Sequence, residues 1–118
     1  MARNMVQAPF LLTDAMRDVV TVAIKEVCNH RKYDLYAINV RTNHAHSVVA
    51  AQMPSEPIAD AFKSYATRAL REKGLISADT RPWSRGKSRR YLWKPEHVDR
   101  AISYVLYEQG DFEFDIGD

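Results

Sequence analysis

Residues 35–50 read LYAINVRTNHAHSVVA, and this stretch decides the fold. Apolar residues, many of them β-branched, lie on both sides of the short polar segment 41–43. Such residues in alternation are typical of β-strands, and Asn43 is suited to the unusual backbone conformations of a turn. The sequence therefore predicts a β-hairpin, with strands over residues 33–39 and 44–51.

Three stretches around the hairpin have apolar residues at helical spacing. The first follows Thr13, a preferred N-cap residue. The second follows Ser55, another candidate N-cap, and ends at Gly74. The third opens at Pro95 and stops at Gly110. Each apolar stripe predicts an amphipathic helix with one buried side.

The remaining segments complete a small α+β domain. Residues 89–93 read as a short strand, whereas residues 1–10 are poorly defined because Pro9 interrupts a strand there, with a first strand near Val6 as the alternative. This order of elements predicts a ferredoxin-like antiparallel sheet with helices packed on one face. The 118 residues fit a single domain, which closes on an irregular acidic tail over residues 111–118.

His44 and His46 stand one residue apart within the second predicted strand. Side chains alternate along a strand, so the two imidazoles point to the same side. Two imidazoles held side by side on a rigid element can chelate one divalent metal ion. The alternative is a solvated strand that carries two histidines by chance.

The formal net charge of +2 hides an uneven distribution of charge. Residues 81–94 carry only basic charged side chains, and residues 108–118 carry only acidic ones. A local basic segment suits a polyanion such as nucleic acid. A solvated loop is the alternative interpretation.

Cys28 is the single cysteine of the chain, which excludes an intramolecular disulfide and a cysteine-based zinc site. Its place in the first predicted helix indicates a buried small apolar residue. Neither a signal peptide nor an apolar stretch of membrane-spanning length is present. We therefore expect a reducing, cytoplasmic location.

Tyr104 and Glu108 are four residues apart in the last predicted helix and so share one side of it. A carboxylate suits Mg²⁺ or Mn²⁺, and imidazole suits Mn²⁺ and other transition metals. A tyrosine beside such an ion can act as a nucleophile on phosphorus. The alternative is that Tyr104 and Tyr107 are partly buried aromatic residues of a packed helix.

Aromatic residues interleave with the basic segment, and basic residues also occupy the outer sides of the second helix. Flat rings stack on unpaired bases while arginine and lysine contact phosphates, although large aromatic residues are also common in cores. The predicted nucleic-acid-binding residues are Lys63, Arg68, Trp83, Arg85, Lys87, Arg89 and Arg90.

The chain resembles the single-tyrosine HUH transposases, in particular the IS200-like and REP-associated tyrosine transposase domains of bacteria. Five segments carry the resemblance from residue 10 to residue 110: the first helix, then NVRTNHAHSVVAA, FKSYATRALREKGL, WSRGKSRRYLW and AISYVLYEQG. The most specific motif is Asn-His-Ala-His followed by small apolar residues. The second is Tyr-Val-Leu near the end of the chain.

The resemblance implies an enzyme that cleaves and rejoins single-stranded DNA through a 5′-phosphotyrosine. It implies that His44 and His46 hold Mg²⁺ or Mn²⁺ and that Tyr104 is the nucleophile, with Tyr107 as its rival. Glu108 matches the position of the third metal ligand, and the adjacent Gln109 is the second choice. It further implies hairpin-containing DNA as partner, a homodimer completed in cis or in trans, and a bacterial cytoplasmic location.

Two other functions remain open from the residues. A domesticated module of the same fold would bind single-stranded or hairpin nucleic acid without cleaving it. A small metal-binding or ligand-sensing domain is the third possibility, and the basic segment disfavours it.

Overall fold

The computed structural model of the chain describes residues 2–7, 11–50, 55–83, 89–92 and 98–107. All predicted helices and strands are present; the last predicted strand and helix are described over part of their predicted ranges, and the others lie close to their predicted bounds. In chain order the elements are β1 (Ala2–Gln7), α1 (Asp14–Arg31), β2 (Asp34–Val40), β3 (His44–Ala50), α2 (Ser55–Glu72), β4 (Arg89–Leu92) and α3 (Val98–Tyr107).

Helix α1 begins where the sequence predicts. The Thr13 hydroxyl accepts a hydrogen bond from the Met16 amide at 3.2 Å, which gives one of the exposed N–H groups of the first turn a partner. The helix ends at Arg31 and is capped by Lys32, a left-handed residue with φ of 60° whose amide donates to the Cys28 carbonyl. None of the helices in the described part of the chain is long and apolar enough to cross a membrane.

The four strands form one antiparallel sheet in the order β2-β3-β1-β4. This is the ferredoxin-like arrangement, and it confirms the predicted fold class. Strand β1 lies inside the sheet, between β3 and β4, although the sequence left residues 1–10 poorly defined. The strand is described from Ala2 to Gln7, and Pro9 lies outside the described residues.

Helices lie on both faces of the sheet. Ala45 and Val49 of β3 join a larger buried cluster with residues of α1 and α2. Val48, which points the other way, joins a second cluster with Ala101 and Val105 of α3. Thus α1 and α2 cover one face, whereas α3 covers part of the opposite face, which corrects the prediction that all helices share one face. An apolar stripe predicts that a helix is buried, but it carries no information on which face of the sheet receives it.

Strand β2 contains a β-bulge between Leu35 and Ala37. The consecutive residues Val49 and Val48 of β3 pair with these two residues, so Tyr36 is the additional one. One additional residue moves every later side chain of a strand to the opposite face. The second half of β2 therefore faces the sheet side opposite to the one that strict alternation from Leu35 predicts.

Candidate functional site

His44 and His46 lie on β3, one of the two interior strands of the sheet. Between them, Ala45 is buried towards α1 and α2, so both imidazoles stand on the face that α3 covers. Their ring centroids are 4.5 Å apart and their planes meet at 73°. Both side chains are half-buried. The sequence prediction of two adjacent imidazoles on one side of a strand is confirmed.

Asn43 orients the first imidazole. Its side-chain oxygen lies 2.6 Å from Nδ1 of His44. An amide oxygen only accepts hydrogen bonds, so Nδ1 of His44 donates the proton, and a neutral ring then keeps its lone pair on Nε2. A metal-ligating histidine is commonly held in this way by an oxygen acceptor on its other nitrogen.

The donor set on this face fits a divalent transition-metal ion. Two neutral imidazoles side by side suit Mn²⁺ and its neighbours in the series, and Nδ1 of His46 is shielded from solvent. Within residues 11–50, 57–83 and the described side chains of α3, no group of three or more His, Cys, Asp or Glu side chains assembles. Glu108 and Gln109, the predicted third ligand and its alternative, lie outside the described residues.

Helix α3 brings Tyr104 to the same face of the sheet as the histidines. Ala101 and Val105 contact the sheet from this helix, and position 104 stands immediately before Val105 on the adjacent side of the helix. Two elements that are far apart in the sequence thus meet over one sheet face. The predicted site requires these two elements on one face, and the approach of the Tyr104 side chain to the histidines stays a prediction.

Tyr107, the rival nucleophile, occupies a different side of α3. Its side chain is 71% exposed. It follows Val105 by two residues, about 200° around the helix, and therefore points away from the sheet that Val105 contacts. Within one chain, this orientation turns Tyr107 away from the sheet, and the identity of the nucleophile stays a prediction.

Asn39 is a further residue of this face that the sequence did not single out. It is the register partner of His46 across the β2–β3 ladder, and its amide donates to the Val105 carbonyl at 3.0 Å. The sequence offered one signal for Asn39, a polar residue within a mostly apolar predicted strand. Because the bulge decides which face Asn39 occupies, the sequence pattern alone did not lead to it.

Trp83 is anchored to the layer of α1 and α2. Its indole N–H points to the Lys63 carbonyl at 3.3 Å and to the Thr67 hydroxyl at 3.1 Å, and its ring packs against the larger cluster. These contacts show that Trp83 supports the fold, which was the alternative interpretation of the residue. Stacking of its ring on a base stays a prediction.

The predicted basic contacts fall on two parts of the molecule. Lys63 and Arg68 belong to α2, on the layer opposite to the histidines, where the Arg68 guanidinium lies 4.9 Å from the centroid of the Tyr65 ring. Arg89 and Arg90 belong to the edge strand β4. Two more predicted contacts lie outside the described residues: Arg85 and Lys87.

The fold and the paired imidazoles define a ferredoxin-like domain with a two-histidine site on its sheet. A model of the family described as "Transposase IS200 like" matches residues 7–97, which is most of the chain, and the chain belongs to this family. The matched range contains both histidines and ends before α3.

Two further comparisons complete this finding. The chain is similar to the crystal structure of a proposed transposase from Deinococcus radiodurans R1, with a TM-score of 0.65 over 92% of this chain and 90% of that one. At 13% identity, this likeness shows the fold. No curated protein shows significant similarity to the chain.

Proposed function

We propose that this transposase is a metal-dependent enzyme that cleaves and rejoins single-stranded DNA through a covalent 5′-phosphotyrosine at Tyr104. The observation that carries the proposal is the meeting of the histidine pair and the helix of Tyr104 over one face of the sheet. Membership of the IS200-like family supports a role in DNA transposition and recombination.

The proposed covalent step needs one tyrosine and one DNA strand and no other reactant. The Tyr104 oxygen attacks the phosphorus, an O–P bond to tyrosine forms, and the bond from phosphorus to the 3′ oxygen breaks. The phenol loses its proton and the departing 3′ oxygen gains one, which leaves a free 3′-hydroxyl. Rejoining is the same exchange in reverse, with a 3′-hydroxyl as the attacking group.

His44 and His46, with Glu108 as third ligand, are the residues that we propose to hold Mg²⁺ or Mn²⁺. When bound, the cation would polarise a phosphoryl oxygen and stabilise the negative charge that develops at phosphorus. The contribution of the chain is to fix the ligands: β3 holds both imidazoles in register, and Asn43 holds the tautomer of His44.

The proposed DNA partner is inferred from the basic residues of the chain and from the chemistry of the covalent step. Lys63, Arg68 and the basic residues of β4 and its preceding segment would contact phosphates, and a hairpin in the DNA would present the strand at the sheet.

We further propose a homodimer in the bacterial cytoplasm. In this chain α3 packs on its own sheet, which supports a site completed in cis.

The test is formation of a covalent adduct. The full chain is incubated with Mn²⁺ and end-labelled single-stranded DNA containing a hairpin, and the products are separated on a denaturing gel. We expect an adduct with the wild type and with Tyr107→Phe, and none with Tyr104→Phe or His46→Ala. An adduct that persists in Tyr104→Phe and disappears in Tyr107→Phe would transfer the role of nucleophile to Tyr107. Unimpaired DNA binding with no adduct on any substrate would instead indicate the domesticated, non-cleaving module.

A further inference from the structure

Asn39 links the strand beside the histidines to the helix of the nucleophile. Its amide Nδ2 donates to the main-chain carbonyl of Val105 at 3.0 Å, across 66 positions of sequence. On the β2–β3 ladder, the residue opposite Asn39 is His46. One side chain thus contacts the residue next to Tyr104 and stands beside a proposed metal ligand.

The bulge in β2 brings this contact about. If β2 alternated strictly from Leu35, without the bulge, Asn39 would share a face with Leu35, which packs against the cluster of α1 and α2. With the bulge, Asn39 shares the opposite face with Ala37, which packs against α3. Bulges often redirect a side chain next to a functional site.

The accepting carbonyl belongs to α3, the helix that carries Tyr104. Val105 directly follows Tyr104 in this helix, and Asn39 donates to its carbonyl from the sheet. The accompanying apolar contacts involve small side chains, Ala37, Val48 and Ala101 among them, and such contacts are non-directional. A hydrogen bond is directional, so the bond from Asn39 restricts both the rotation of α3 and its position along its axis.

We propose that Asn39 is a positioning residue, which sets the place of Tyr104 relative to His44 and His46 through its bond to the Val105 carbonyl of α3. This inference rests on the proposed role of Tyr104. Displacement of a reacting group by about 1 Å is enough to lower a rate by about a hundredfold, so a lost anchor lowers the rate of the covalent step. Binding of DNA and of metal does not require the anchor.

The test uses two substitutions of Asn39, one that removes the side-chain N–H donor and one that keeps it. Asn39→Leu keeps a similar size and removes the amide, whereas Asn39→Gln keeps the amide on a longer side chain. The matched control is Thr21→Val, which removes a side-chain bond to the Arg17 carbonyl on the opposite layer. The first readout is the single-turnover rate of adduct formation at saturating DNA and Mn²⁺. The second is the affinity of the full chain for Mn²⁺ and for DNA.

We expect Asn39→Leu to lower the adduct rate at least tenfold, within the range that misplacement produces, with Mn²⁺ and DNA affinities within about threefold of the wild type. Asn39→Gln should recover part of the rate, and Thr21→Val should retain all of it. An unchanged rate in Asn39→Leu overturns the inference. So does a parallel loss of Mn²⁺ or DNA affinity, because Asn39 would then act in binding.

Hydrogen exchange separates this inference from the proposed function. In the wild type, amides of residues 102–107 should be protected, and Asn39→Leu should increase their exchange while leaving residues 14–31 unchanged. Unchanged exchange in α3 shows that Asn39 does not anchor the helix and overturns the inference. A wild type that forms no adduct refutes the proposed function and the catalytic consequence of the anchor, while the exchange data still decide whether Asn39 holds α3.

Discussion

Substitution of Asn43 by alanine should weaken metal binding about tenfold without unfolding the protein. The substitution removes the oxygen that lies 2.6 Å from Nδ1 of His44 and so frees both the tautomer and the orientation of the ring. Loss of such an outer acceptor lowers metal affinity by about 10- to 100-fold. Asn43 is exposed and water can replace part of its bond, so we expect the lower end, about 1.4 kcal/mol of binding free energy.

The assay is calorimetric titration of Mn²⁺ into the full chain near neutral pH, with thermal unfolding measured on the same samples. Asn43→Asp keeps an oxygen acceptor and should bind Mn²⁺ at least as tightly as the wild type. Asn29→Ala, which removes an exposed asparagine from α1, is the matched control and should change neither quantity. Equal Mn²⁺ affinity in Asn43→Ala and the wild type would refute the reasoning, since Asn43 would then have no part in preparing His44.

Three other predictions follow from the packing of the chain. Because α3 packs on its own sheet, a mixture of the His44→Ala and Tyr104→Phe variants should form no adduct, and restored adduct formation would show that the site is completed across a dimer. Leu70 is fully buried, so Leu70→Ala should lower the free energy of unfolding in urea by about 3 kcal/mol, whereas Leu11→Ala, at a 70% exposed position, should change it by less than about 0.5 kcal/mol. Burial raises the pKa of the Cys28 thiol from 9.0 to about 11, so the folded state retains this proton more strongly than the unfolded state does. The contribution of this thiol to the free energy of unfolding should therefore be fully present below pH 9 and decrease as the pH rises towards 11. Cys28→Ala should remove that part of the pH dependence.

The sequence predicts the local elements well because each depends on neighbours in the chain. The helix start at Thr13, the turn before His44 and the shared side of His44 and His46 all follow from capping, turn chemistry and the period of a strand. These are interactions over a few residues. Composition and spacing are sufficient to recognise them.

Long-range placement was not predictable in the same way. The central position of β1 depends on pairing with β3 and β4, and the segment itself shows only a weak strand pattern. The face that α3 occupies depends on how Ala101 and Val105 fit against Val48, and the stripe of the helix does not specify a face. The bulge at Tyr36 is a single additional residue with no sequence signature of its own.

The residues beside the histidine pair come from the same hairpin, whereas the helix of the proposed nucleophile comes from a distant part of the sequence. Asn43 contacts His44 within the turn, and Asn39 faces His46 across the ladder, so one hairpin holds both imidazoles and both of the asparagines around them. Only the attachment of α3 requires a distant segment. One residue inserted into turn 41–43 would therefore shift the register between β2 and β3 and separate Asn39 from His46, although every one of these side chains would still be present. The length of this turn constrains the site as strictly as the identities of its residues.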